Sequence, residues 1–264
     1  MFVARPQVAQ DPRVSDVLQK FGGWRDAGAY RGIESVDRRI EQSRVFSRVV
    51  LRQQDVSEDQ QMRSALRELI EVVRPEVRFT AQQNLLLAGI AEELRAKVGS
   101  LLRAYGIVPA AGLPPVLRQS MACPALPTCG QAITESERVW PLVAGQIQQV
   151  WDAAGLYGEP LCVRMTGCPN GCARPYTAEI GIVGQSTDRH SIYLGGSPLG
   201  TRLAELFRHE VRLEELPALL RPLFEEYAAG RAIGERFGDW AARKGIARLK
   251  EIGRKGELIL RRPA

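Results

Sequence analysis

Four of the chain's five cysteines fall in two short motifs, CPALPTC at residues 123–129 and CPNGC at residues 168–172. Thirty-eight residues separate the two pairs, so a fold that uses all four thiols must bring two distant loops together. Four thiolates from two loops can surround a tetrahedral zinc or a 4Fe-4S cluster. Structural zinc usually takes tighter pairs on polar turns, whereas Cys123 and Cys129 are five residues apart and enclose Pro-Ala-Leu-Pro. A cubane is wider, and apolar surroundings keep water from its sulfides, so these residues favour the cluster over zinc and leave both open.

Composition sets the frame. The chain has 264 residues, 45% hydrophobic and 25% charged, enough for one large globular domain or two small ones. No apolar run reaches the roughly 18–20 residues of a membrane span, and the start, MFVARPQVAQDPRVSD, lacks the apolar core of a signal peptide. An odd cysteine count with tight pairs points to metal ligation in a reducing, cytoplasmic compartment rather than to disulfides. The formal charge of +6 is confined to residues 231–264, which hold ten basic and four acidic residues. Such a stretch is ordinarily a solvated terminus, and its functional reading is a docking surface for an acidic partner. Nucleic acid is not expected, because no aromatic-interleaved basic motif accompanies the charge.

Residues 1–58 carry no clear fold signal beyond a strand-like RVFSRVVLR. From Glu58 the periodicity predicts a helix whose apolar stripe is Met62, Leu66, Leu69, Ile70 and Val73, ended by Pro75. EVRFT and NLLLAGI read as strands, and AEELRAKVGSLLRAYGI as a second amphipathic helix. The connector VPAAGLPP marks a boundary between units. Beyond it, a long helix is expected from near Gln131 with a kink at Pro141, then strands in PLCVRMTG, TAEIGIVG and HSIYLGGS. Three helical segments are expected between Thr201 and Gly245.

The segments MACPALPTCGQAITESER and RMTGCPNGCARPYTAEIGIVG closely resemble the two cluster-binding motifs of the assimilatory sulfite and nitrite reductases. RFTAQQNLLLAGI is similar to that family's preceding strand pair, and YLGGSPLGTRLAELF and ERFGDWAARKG to its closing segments. The resemblance runs from about residue 62 to 246. It implies a 4Fe-4S cluster held by Cys123, Cys129, Cys168 and Cys172, with the Cys172 sulfur shared with the iron of a sirohaem. It further implies that Arg164 and Arg174, with Arg174 the favoured one, neutralise a haem carboxylate or the cluster, and that Gln83, Asn84 and Asn170 contact cofactor. Each of these has a plainer explanation: Arg164 and Arg174 as surface or strand-edge arginines, the others as turn-shaping residues. Gly171 is expected to let a cofactor approach the backbone. Cys162 reads as a small buried hydrophobe, and His190 and His209 as non-ligands.

Enzymes of this family are built from two related halves, and the resemblance is to the second half only. The first half supplies most of the basic residues that bind the substrate anion, so no catalytic residue is assigned here. The resemblance therefore implies an α+β fold with an unassigned segment over residues 1–58 and a small ferredoxin-like half-domain over 59–110. A 4Fe-4S and sirohaem-binding domain would follow over 111–246, and a basic tail over 247–264. The activity it implies is six-electron reduction of sulfite to sulfide, served by a ferredoxin or other acidic donor; the chain is then a piece of a longer enzyme, one subunit of a split enzyme whose other half is a separate chain, or a cluster-binding protein without the chemistry. Nitrite reduction, a precorrin-3B synthase-like reaction and a non-catalytic iron-sulfur or zinc module are the alternatives.

Overall fold

The computed structural model describes residues 49–52, 62–80, 82, 84–109 and 112–260, all within the compact unit Val45–Ala264. The architecture is α+β, with two separate sheets. The first has three antiparallel strands in the order β1-β3-β2, formed by β1 (Val49–Arg52), β2 (Glu76–Phe79) and β3 (Asn84–Ala88). Helices α1 (Met62–Val73) and α2 (Arg95–Ala104) supply Ala65, Leu69, Val98 and Leu102 to a small core around Leu87 and Ile90. Helix α1 stops because Arg74 turns left-handed at φ 50° ahead of Pro75, which has no N–H to continue the ladder.

The second sheet has five strands in the order β4-β5-β6-β7-β8. Strands β4 (Met121–Ala122), β5 (Val163–Thr166) and β6 (Ile180–Ser186) run parallel, and β7 (Arg189–Leu194) and β8 (Glu205–Val211) complete it antiparallel. A short helix α3 (Pro115–Gln119) leads into β4, and α4 (Trp140–Ala153) forms the crossover from β4 to β5. After the sheet come α5 (Leu216–Gly230), α6 (Phe237–Lys244) and α7 (Ile246–Leu260). Val163, Met165, Ile180, Ile182, Ile192 and Leu194 present one face of the sheet to a core completed by Trp151, Phe224, Tyr227, Phe237 and Trp240. Within it Trp151 meets Phe224 edge-on at 4.8 Å and stacks on Tyr227 at 5.6 Å, arrangements that suit the quadrupoles of the rings.

Three sequence expectations are corrected. The long helix starts at Trp140, not near Gln131, because the Ile133, Thr134 and Glu137 amides are spent on other segments. Ile133 and Thr134 donate to the Gly167 carbonyl at 2.8 and 3.0 Å, and Glu137 donates to the Cys123 carbonyl at 3.1 Å. Pro141 then lies in the first helical turn, where a missing N–H costs nothing, so it does not kink the helix. Between Thr201 and Gly245, where three helical segments are expected, α5 and α6 form after strand β8 and a 3-10 turn at Leu213–Glu215. The basic C-terminal stretch is not a free terminus as far as Leu260, because α7 inserts Leu249 and Ile252 into the main core. No helix among the described residues is long and apolar enough to cross a membrane.

A buried carboxylate ties the start of β6 to the last helices. Glu179 is fully buried and accepts from the Arg236 guanidinium at 2.6 and 3.2 Å, the Cys162 amide at 2.8 Å and the Gly238 amide at 3.0 Å. Both oxygens are used, and the Gly238 bond caps the first turn of α6, where a negative charge is favoured. Replacing Glu179 with alanine leaves two buried amides without acceptors and a half-buried guanidinium without its counter-charge, so urea unfolding of Glu179→Ala should show a loss of about 2–4 kcal/mol. A loss well under 1 kcal/mol would mean the pair is not the tie described here.

Candidate metal centre

Parallel neighbours cannot be joined by a hairpin and need crossovers of a dozen or more residues. The crossover from β4 to β5 begins at Cys123, and the one from β5 to β6 spans Gly167 to Glu179. Because β4 and β5 run the same way, with Ala122 opposite Met165, both crossovers leave from the same edge of the sheet. Both cysteine motifs sit there. The structure thus brings the CPALPTC loop and the CPNGC turn together.

Direct contacts lock them. The Cys123 amide donates to the Met165 carbonyl at 3.1 Å, and the Gly167 amide donates to the Cys123 sulfur at 3.3 Å. The Gly167 carbonyl in turn accepts from Ile133 and Thr134, and the Ser136 hydroxyl donates to the Met165 carbonyl at 3.0 Å. At the outer rim the Asn170 side-chain amide donates to Gln131 at 2.9 Å, joining the two loops side chain to side chain. Gly167 must be glycine, since a Cβ there would lie 2.5 Å from the Ala125 Cβ and 2.6 Å from the Thr134 carbonyl. Gly171 adopts φ 68°, and a Cβ there would lie 2.9 Å from the Tyr176 ring. Its freedom is needed by the turn itself, a different reason from the cofactor approach expected from sequence.

The four cysteines differ in environment. Cys123 and Cys168 are buried, Cys129 is half-buried, and Cys172 is exposed on the turn. Burial pushes the Cys123 thiol up; the Gly167 amide and the Ser136 hydroxyl pull against it, and the charges of Cys172 and Cys168 add a further rise. Cys123 thus senses charge from the neighbouring loop that carries Cys168 and Cys172. A bound cation would reverse that rise. Among the described residues no group of three or more His, Cys, Asp or Glu side chains is disposed to hold a single metal ion. Cys162, outside the pairs, is buried in the strand approach, where burial pushes its thiol up.

The other candidate residues are dispersed. Arg174 is exposed, in a left-handed conformation at φ 56°, and its amide donates to the Gly171 carbonyl at 2.7 Å. Desolvation, and after it the like charge of Arg164, push Arg174 below the usual guanidinium value. Asn84 opens β3 in the other sheet, where its amide donates to the Thr80 hydroxyl at 3.1 Å. Gln83 lies outside the described residues. His190 is buried and pushed down by desolvation, and the His209 ring is 2.9 Å from the Ser191 hydroxyl. Sequence reasoning missed Ser136 and the Gly167 amide as partners of the first cysteine loop; backbone and hydroxyl donors leave no spacing signature. In metal-free protein at neutral pH, iodoacetamide should label Cys172 first and Cys123 and Cys162 last, following exposure and thiol pKa. Mass mapping that found Cys123 labelled before Cys172 would contradict this placement.

No protein-family model matches the chain. Among curated proteins it is 40% identical over 198 residues to the sulfite reductase (NADPH) hemoprotein beta-component of Staphylococcus carnosus, covering 75% of this chain and 35% of that protein. It is 45% identical over 182 residues to the protein of the same name from Methylobacterium sp. strain 4-46, and 43% identical over 182 residues to that of Myxococcus xanthus. The chain spans about a third of the length of these relatives. Among solved structures, Mycobacterium tuberculosis NirA superposes with a TM-score of 0.61 and 25% identity over 70% of this chain and 36% of NirA. Dissimilatory sulfite reductase I superposes with a TM-score of 0.59 and 13% identity over 78% of this chain and 68% of that one, a likeness of fold. Over about seven-tenths of its length, this chain belongs to the sulfite and nitrite reductase family.

Proposed function

We propose that this chain holds a 4Fe-4S cluster through Cys123, Cys129, Cys168 and Cys172, and that the Cys172 sulfur also ligates a sirohaem iron. The observation that carries this reading is the shared sheet edge from which both cysteine loops leave. The residues fit the group. The donor chemistry suits it, since four free thiols carried by two loops are the usual ligand set of a cubane. Cys123 has an amide on its sulfur, the kind of hydrogen bond that tunes such clusters. Cys172 is the exposed member, as a thiolate serving a second metal has to be. When bound, the two groups would supply one-electron transfers to a substrate held at the haem.

What the chain's own residues do is narrower. Gly167 and Gly171 shape the loops, Asn170 and Gln131 hold them together, and Arg174 offers positive charge at the rim, where a haem carboxylate or the cluster would need it. Asn84, at the start of β3, would contact the haem from the smaller sheet, and Gln83 is proposed to share that role. Sulfite is the proposed substrate, since the matched relatives are named for it. The proposed setting is cytoplasmic, where thiols stay reduced. The proposed donor is an acidic carrier, ferredoxin or the flavoprotein of a two-component enzyme, docking near Lys250 and Arg254 on α7.

Anaerobic reconstitution should give about four irons and four sulfides per chain. Serine at Cys123, Cys129 or Cys168 should cut both sharply, and full occupancy in all three variants would overturn the ligand assignment. Sulfide production by the chain alone should stay near background, because each missing charge-stabilising donor commonly costs ~10²–10³ in rate. Adding a polypeptide that supplies the unmatched remainder of a curated relative should raise it. Robust turnover by the chain alone would contradict the need for a second part. Reversing Lys250 and Arg254 to glutamate should slow reduction by the donor at low salt and lose its effect at high salt; identical salt dependence would place docking elsewhere.

A further inference from the structure

We propose that Arg164 is a positioning residue of the cluster turn and the source of a fixed buried charge that raises the cluster's reduction potential; this rests on the cluster reading above. Arg164 lies in the middle of β5, 1% exposed. Its guanidinium donates to the Thr177 hydroxyl at 2.7 Å and to the Arg174 carbonyl at 3.3 Å. Both acceptors belong to the segment that follows Cys172, and the Thr177 hydroxyl itself donates to the same Arg174 carbonyl at 3.2 Å. The side chain therefore reaches from the strand before the CPNGC turn to the strained residue just after it.

Neither acceptor is charged. Among the described residues no carboxylate pairs with Arg164, and the buried Glu179 has its oxygens committed to Arg236 and to the amides of Cys162 and Gly238. A guanidinium does not deprotonate in a protein, and a buried charge without a counter-charge is strongly disfavoured. Such a residue is understandable if the missing negative charge arrives with a ligand. Four thiolates leave a 4Fe-4S cluster net anionic in either redox state, and it would sit over the turn that Arg164 supports. On the same face of β5, two residues on, the buried Thr166 hydroxyl also has no hydrogen-bond partner among the described residues. Reduction adds one electron from the donor and no proton, so a fixed cation favours the reduced form without any rearrangement.

The test is a reductive titration of the reconstituted chain followed by electron paramagnetic resonance, for wild type, Arg164→Lys and Arg164→Gln. At the wild-type midpoint the reduced-to-oxidised ratio of Arg164→Gln should fall about tenfold, equivalent to ~59 mV for a one-electron couple. Arg164→Lys, which keeps the charge, should stay close to wild type. An unchanged midpoint in Arg164→Gln, or a lysine variant that moves as far as the glutamine one, would overturn the proposal. If Arg164→Gln takes up no cluster, the lysine variant decides. A loaded Arg164→Lys with a near wild-type midpoint supports the charge, and its failure to load reduces Arg164 to a packing role. Wild-type chain that takes up no iron and sulfide would instead sink the cluster reading itself.

Discussion

Parallel pairing of β4 with β5 and of β5 with β6 is the constraint from which the candidate site follows. Parallel neighbours require long crossovers, and here the crossovers carry the cysteines. Had β5 paired with β4 in the opposite sense, the two motifs would have left from opposite ends of the sheet. The site is therefore a property of topology before it is a property of side chains. Hydrophobic burial on one face of the sheet, from Val163 and Met165 through Ile192 and Leu194, holds that topology in register.

Polar groups inside this frame fall into two kinds. Glu179 is satisfied several times over by protein donors and serves the fold. Cys123, Cys168 and Arg164 are buried with charge or latent charge that the protein answers only in part. Natural folds hydrogen-bond or pair nearly all such groups. Here they flank one turn, beside a buried carboxylate, Glu179, that is fully engaged.

Much of this was legible in the sequence, for reasons that differ residue by residue. The cysteine motifs were visible because ligand spacing is local, and α1 and β3 because a clean apolar period runs through Leu66 and Leu69 or through Leu85–Leu87. The start of α4 was not, because Ile133 and Thr134 give their amides to Gly167, a partner 33 or more residues away. Strand β8 carried no separate signal, because Phe207 and Val211, four apart, suit both helix and strand. The role of Arg164 was undecided in sequence, where a strand arginine is usually an edge residue; only the placement of Thr177 and Arg174 beside it shows it buried.

The most direct test of the central claim is X-ray absorption at the metal edge of the anaerobically prepared chain. The account predicts iron coordinated by sulfur with a clear second shell of iron neighbours, as a cubane requires. Zinc in a sulfur shell with no metal neighbour would contradict it, and would leave the two loops as the knuckles of a structural ion.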